Sequence, residues 1–127
     1  MIFSVESDKS FYEASVDLGE VLLRLGFAVL QADDQGESLR NKGLACDEEL
    51  MVFAVAIPRL TEALLAVDMR LGLALPWRLS VFTEEGVTRL GFLRPATVLP
   101  ALSPRAAALP LAEDLEARLR QVVEEVR

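Results

Sequence analysis

Apolar residues recur along the chain with two different periods, one typical of strands and one typical of helices. Five short segments either alternate apolar with polar residues or stay apolar between turn signals, and both patterns are typical of strands. The predicted strands cover residues 2–6, 27–32, 51–57, 77–82 and 87–92. Three longer segments repeat apolar residues at helical spacing. The predicted helices begin at Ser10, Pro58 and Pro110.

Signals at the helix ends support these assignments. Ser10 and Glu13 form a capping box, in which the hydroxyl and the carboxylate satisfy opposite amides of the helix start. Gly26 supplies the stop of this first helix. Pro58 suits a first helical turn, because its missing N–H would be unpaired there. The middle helix ends before Gly72.

Two segments lack a clear period and are predicted to connect the others. Residues 33–49 are polar and contain two glycines, which indicates a loop with room for one helical turn. Residues 94–110 contain four prolines and are expected to be a connector, with Val98 and Leu99 resting against the core.

The last two strands form a hairpin whose register follows from side-chain size. A four-residue loop, 83–86, would place Val81 opposite Thr88 and Trp77 opposite Phe92, which collects the large apolar residues on one face. A three-residue loop would instead place Leu79 opposite Gly91 and Ser80 opposite Leu90, so each face would combine large apolar residues with small or polar ones. We therefore predict the four-residue loop, with Trp77 in the core.

The order of elements predicts a single α+β domain over residues 1–127. Its order is β-α-β-β-α-β-β-α, which favours one twisted, mostly antiparallel sheet with helices packed on one face. No remaining helix is available for the other face of the sheet. That face is expected to carry Arg78, Ser80, Phe82, Val87 and Arg89.

The net charge and the hydropathy of the chain argue against a nucleic-acid-binding protein and against a membrane-spanning one. The net charge is −7 and the arginines are scattered, so binding to a nucleic-acid backbone is unfavourable. The longest apolar run, residues 50–57, is too short to span a membrane. The N-terminus lacks the pattern of a signal peptide, and a cytoplasmic location is expected.

The chain has few of the residues that usually form catalytic or metal-binding sites. The chain has no histidine, which removes the commonest general base and zinc ligand. Cys46 is the only cysteine; it is expected to be a small packed thiol, because its acidic neighbours oppose a thiolate. No nucleophile–base pair or phosphate loop is evident, so a non-enzymatic protein without a cofactor is favoured.

Five acids flank the polar loop and leave two interpretations open. They are an ordinary solvated surface, or they converge on a hard cation such as calcium or magnesium. Their spacing matches no known cation loop, which favours the surface and predicts no metal site. The acids are Asp33, Asp34, Asp47, Glu48 and Glu49.

Several segments together resemble the bacterial family catalogued as domain of unknown function 302. The similar positions, in order and spacing, are Gly26–Leu30, Pro58–Leu65, Asp68, Gly72–Pro76 and Glu84. The resemblance implies a twisted antiparallel sheet held by helices, similar to the TATA-binding-protein-like class. It implies no established activity, and a shared architecture does not transfer DNA binding.

The chain departs from the pattern of that family at two places. Members typically have Cys-Asn after the Leu-Pro step, where this chain has Trp77 and Arg78. They typically have Asn-Pro before the middle helix, where this chain has Ile57 and Pro58. A family site built from those polar side chains would be lost or rebuilt in this protein.

The half-apolar bare face is the main functional clue, because such patches mark interfaces or ligand grooves. The first hypothesis is a homodimer formed through this face, with Arg78, Phe82 and Val87 at the interface. The alternative is a groove for an apolar small molecule, whose anionic end is held by Arg78 and Arg89 beside Ser80.

Overall fold

The computed structural model describes all residues from Met1 to Arg127 and confirms the α+β class. Its strands are β1 (Ile2–Ser7), β2 (Ala28–Asp34), β3 (Leu50–Ala56), β4 (Trp77–Glu84) and β5 (Val87–Leu93). Its helices are α1 (Phe11–Arg24), α2 (Gln35–Asn41), α3 (Pro58–Val67), α4 (Pro95–Leu102) and α5 (Ala108–Val126). A 3₁₀ helix spans Met69–Ala74. None of these helices is both long and apolar enough to cross a membrane.

All five strands form one antiparallel sheet in the order β1-β5-β4-β3-β2. The first strand therefore pairs with the last, with Ile2 opposite Leu93 and Ser4 opposite Gly91. A bulge between Val29 and Gln31 interrupts the pairing of β2 with β3. The two edges of the sheet are consequently β1 and the bulged β2.

The hydrophobic core lies between one face of the sheet and the helices. Strand residues such as Leu79, Val81 and Leu90 are fully buried there. Leu18 of α1 and Leu119 of α5 are also fully buried, because the apolar stripes of both helices face the sheet. Alternate residues on the strands point away from this core.

The structure contains two helices that the predicted element order does not include. Helix α2 lies in the polar loop, where the Asp34 carboxylate accepts a hydrogen bond from the Glu37 amide at 2.9 Å. Helix α4 lies in the proline-rich connector, with Pro95 in its first turn and Leu99 fully buried. The expected contact of Leu99 with the core is present, but it is made from a helix.

The predicted hairpin register is wrong by two residues. Val81 lies opposite Leu90 and Glu84 opposite Val87, so the loop contains only Glu85 and Gly86. Both have positive φ, 52° and 83°, as a type I′ turn requires. A shift of two residues preserves the faces, because side chains alternate with period two. The predicted core face of β4 is therefore correct although the predicted pairing is not.

Replacing Glu85 with asparagine is expected to raise the free energy of unfolding by about 0.5–1 kcal/mol. In the left-handed region the Cβ of glutamate lies too close to the following carbonyl oxygen. Asparagine tolerates this region, because its short polar side chain forms local hydrogen bonds, and it favours this turn type. Urea unfolding followed by circular dichroism measures the change. Glu85→Ala is the control and should gain nothing, since alanine keeps the Cβ but lacks the short polar side chain that makes asparagine tolerant of this region; an equal gain for both variants would contradict the turn argument.

Candidate functional site

The face of the sheet that points away from the core is termed the open face. Its side chains are exposed or half-buried, except at the buried Gly91. On β1, β3, β4 and β5 it carries Ile2, Ser4, Glu6, Leu50, Val52, Ala54, Arg78, Ser80, Phe82, Glu84, Val87, Arg89, Gly91 and Leu93.

A groove of about 550 Å³ runs over the open face. Its floor is formed by β1, β5, β4 and the start of β3, and its end is closed by Ala74 of the 3₁₀ helix and Val98 of α4. Eight of its twelve lining residues are hydrophobic. The lining consists of Ile2, Ser4, Leu50, Ala74, Trp77, Arg78, Ser80, Phe82, Gly91, Phe92, Leu93 and Val98.

Three small residues lie in register on neighbouring strands and leave space above the floor of the groove. Ser80 of β4 is opposite Gly91 of β5, which is opposite Ser4 of β1. A Cβ at Gly91 would lie 2.9 Å from the Phe3 carbonyl oxygen and 3.0 Å from the Ser4 Cβ. The close approach of β1 therefore requires glycine at the centre of the floor.

Arg78 is the only charged residue in the lining. It is exposed, lies opposite Ala54 of β3 and takes part in none of the ion pairs of the protein. Its guanidinium group is thus available to an anion in the groove. Ser80 follows two residues later on the same face, and its hydroxyl can donate to the same anion.

The structure does not bring Arg89 to Arg78, which corrects the predicted two-arginine clamp. Arg89 is opposite Phe82, four residues along β4 from Arg78, which corresponds to about 13 Å of strand. Its guanidinium nitrogens lie 3.1 Å from a Glu6 carboxylate oxygen and 3.0 Å from one of Glu84. Arg89 is therefore occupied by two acids outside the groove.

The two other predicted interface residues have different positions. Phe82 is half-buried, lines the groove and lies opposite Leu50. Val87 is 37% exposed and lies beyond the groove at the hairpin end, opposite Glu84.

The acids around α2 do not converge, and no three acidic or cysteine side chains form a cluster suited to a metal ion. Asp34 caps α2, and Glu49 pairs with Arg40 at 2.6 Å. The Cys46 thiol is half-buried and donates to the Glu48 carbonyl at 3.2 Å. These groups stabilise the connection between α2 and β3.

Glu116 of α5 anchors the helix that closes the groove. One carboxylate oxygen accepts from the Ala96 amide of α4, and the other from Arg94 and Arg120, all at 3.1 Å. Burial alone would raise the pKa of Glu116, but the amide and the two guanidinium groups outweigh it and lower the pKa below its ordinary value. The ionised form therefore holds α4 in place.

Asp68 anchors the other element of the closed end. Its carboxylate accepts from the Arg70 amide at 2.9 Å and from the Arg70 guanidinium at 2.8 and 3.1 Å. The bonds from Arg70 hold the pKa of Asp68 well below its ordinary range. The 3₁₀ helix that begins after Asp68 contacts α4, so the two closing elements are joined.

Trp77 belongs to the core and to the groove at once. It is 5% exposed, as predicted for a core residue, and its indole N–H donates to the Leu93 carbonyl at 2.8 Å. It also contributes to the groove lining beside Arg78. Sequence reasoning missed the groove residues Ile2 and Ser4, because only the pairing of β1 with β5 brings them to this face, and it missed Val98, which α4 contributes.

These features define an α+β protein with one five-stranded antiparallel sheet, helices over its core face and an apolar groove on the other. The model of the family described as "Domain of unknown function DUF302" matches residues 3–126, and the chain belongs to this family. A crystal structure of an uncharacterized conserved DUF302 protein from Bacillus stearothermophilus is 28% identical. The match covers 99% of this chain and 98% of that one, with a TM-score of 0.92. No curated protein matches the chain.

Proposed function

We propose that this protein binds a small amphipathic molecule in the groove of the open face. The observation that carries the proposal is the single unpaired Arg78 in a lining that is otherwise mostly apolar. Ligand sites are typically concave and apolar, with a few polar groups that fix orientation, and their volumes are about 300–1,000 Å³. The groove fits this description in volume and lining.

Trp77 provides a direct test, because it is the only tryptophan and lines the groove. Titration with anilinonaphthalene sulfonate, an apolar dye with one anionic group, is expected to quench Trp77 by energy transfer. Ser80→Leu should fill the floor of the groove and weaken dye binding about tenfold or more. Ser38→Leu adds the same side chain on an exposed position of α2 and should change nothing.

Native mass spectrometry of protein purified without denaturant is the second readout. A co-purified small molecule that Ser80→Leu loses and Ser38→Leu keeps would support the proposal. Absence of dye binding together with an empty protein would contradict it.

A homodimer through the same face is the second candidate function. Its support is the exposure of Ile2 and Leu93, 70% and 52%, directly opposite each other on the open face. A concave groove fills poorly against its own copy, which is why the ligand ranks first. Sedimentation equilibrium separates the two: a dimer of 14.0 kDa chains that Leu93→Asp dissociates supports this candidate. A monomer at all concentrations rejects it.

A further inference from the structure

We infer that the ligand is a monocarboxylate with a slender apolar body, bound with its carboxylate at Arg78 and its body across β5 and β1. This inference rests on the ligand-binding function proposed above and names the class of that ligand. It is carried by three observations: the direction of the groove, the distribution of charge along it and the exposure of two apolar side chains.

The direction of the groove follows from the row of small residues. Ser80, Gly91 and Ser4 lie side by side on three strands, so the space that their small side chains leave forms a trough across the strands. From β4 to β1 it extends over two strand spacings, about 10 Å. The larger residues that flank the row lie two positions away on either side, so their Cα atoms are about 13 Å apart. A slender molecule such as an acyl chain fits along the length of this trough.

The distribution of charge favours one negative charge and no more. Arg78 is the only cation in the lining. On the far side of the row, Arg89 already faces two carboxylates, Glu6 and Glu84, so that side carries a net negative charge. A phosphate dianion or a dicarboxylate would leave one charge unpaired, because the lining offers no second cation. A single carboxylate matches one guanidinium group with two parallel hydrogen bonds.

The position of the apolar body follows from what lies beside Arg78. Leu93 is two residues beyond Gly91 on β5, and Ile2 lies opposite it on the edge strand. Both side chains are exposed, and covering them removes apolar surface from water. On the other side of Arg78, Ala54 and then Gln31 follow, which offer less apolar surface. The body is therefore directed toward β1.

The head group is tested with four ten-carbon compounds: decanoate, decanol, decyl phosphate and decylammonium, each titrated against Trp77 fluorescence at pH 7.5. Decanoate is expected to bind best. Arg78→Ala should weaken decanoate about tenfold or more and leave decanol unchanged. Arg59→Ala removes the same charge from an exposed position on α3 and should have no effect.

The direction of the body is tested by chain length. Ile2→Ser should weaken decanoate more than hexanoate, because only the longer chain reaches β1. Leu73→Ser, at an 82% exposed position outside the groove lining, is the matched control.

The outcomes separate this inference from the proposed function. If decanol and decanoate bind equally, or if decyl phosphate binds best, the assigned ligand class is wrong while the groove still binds ligands. If Ile2→Ser weakens both chain lengths equally, the assigned direction is wrong. If none of the four compounds nor the dye binds, the ligand-binding function itself is rejected.

Discussion

Replacing Trp77 with alanine is expected to lower the free energy of unfolding by about 4 kcal/mol, because a large buried aromatic side chain is lost. The side chain is 5% exposed and packs within the main core cluster, so its removal deletes apolar contacts and leaves a cavity. It also leaves the Leu93 carbonyl without its indole donor. Unfolding must be followed by far-UV circular dichroism, because the variant has no tryptophan.

Tyr12→Ala is the matched control for Trp77. Tyr12 is an aromatic residue on α1 that is 76% exposed, and its removal should change stability by no more than about 0.5 kcal/mol. Trp77→Phe keeps a buried ring and should cost less than half as much as Trp77→Ala. A loss below about 1 kcal/mol for Trp77→Ala would show that the residue is not part of the core.

Trp77 also shows how far side-chain alternation predicts the site. The alternation of Trp77 and Leu79 with Arg78 and Ser80 is a local property of β4, and it assigns each residue to a face whatever strand lies beside it. For this reason the sequence assigns Arg78 and Ser80 to the open face even though the predicted register is off by two. The depth of the groove is different, because it depends on which strands meet.

The parts of the site that could not be predicted depend on contacts between distant segments. The alternation of apolar and polar residues in β1 does not indicate that this strand pairs with β5. The sequence therefore does not reveal the roles of Ile2 and Ser4. The sequence alone also assigns Arg78 and Arg89 to the same face and gives no reason to distinguish their roles. The fold separates them, because Arg89 meets Glu6 from the other end of the chain and Glu84 across the hairpin.

The connector that contains α4 shows a second limit to what the sequence predicts. Its prolines argue against a helix, yet a proline at the first turn loses no hydrogen bond. The buried Leu99 and the contact of Ala96 with Glu116 stabilise the helix from outside. Sequence spacing reveals only the pairing of Glu116 with Arg120, one turn later on α5. The bond that matters for the groove joins residues twenty positions apart and is visible only in the structure.

Replacing Glu116 with alanine is therefore expected to lower the free energy of unfolding by about 3 kcal/mol. The carboxylate is 8% exposed, and its loss leaves the Ala96 amide without a partner and two guanidinium groups without their counterion. Arg94 and Arg120 are partly exposed and can turn to water, which places the cost at the lower end for a broken buried pair. Urea unfolding at pH 7 measures it.

Glu113→Ala on the same helix is the control for Glu116. Glu113 is exposed and forms none of the ion pairs, so its removal should change stability by about 0.5 kcal/mol or less. An equal effect of the two variants would mean that the network around Glu116 contributes nothing specific.

The pH dependence of Glu116→Gln tests the same network by a second route. Because the folded pKa of Glu116 is lowered, its ionised form stabilises the fold above the unfolded pKa of about 4.3, and this contribution is lost as the pH falls through the folded pKa. The difference in unfolding free energy between the unsubstituted protein and Glu116→Gln should thus be constant from about pH 6 to 7.5 and shrink below about pH 4. A difference that persists unchanged into acid would show that the charge of Glu116 is not what holds α4 against α5.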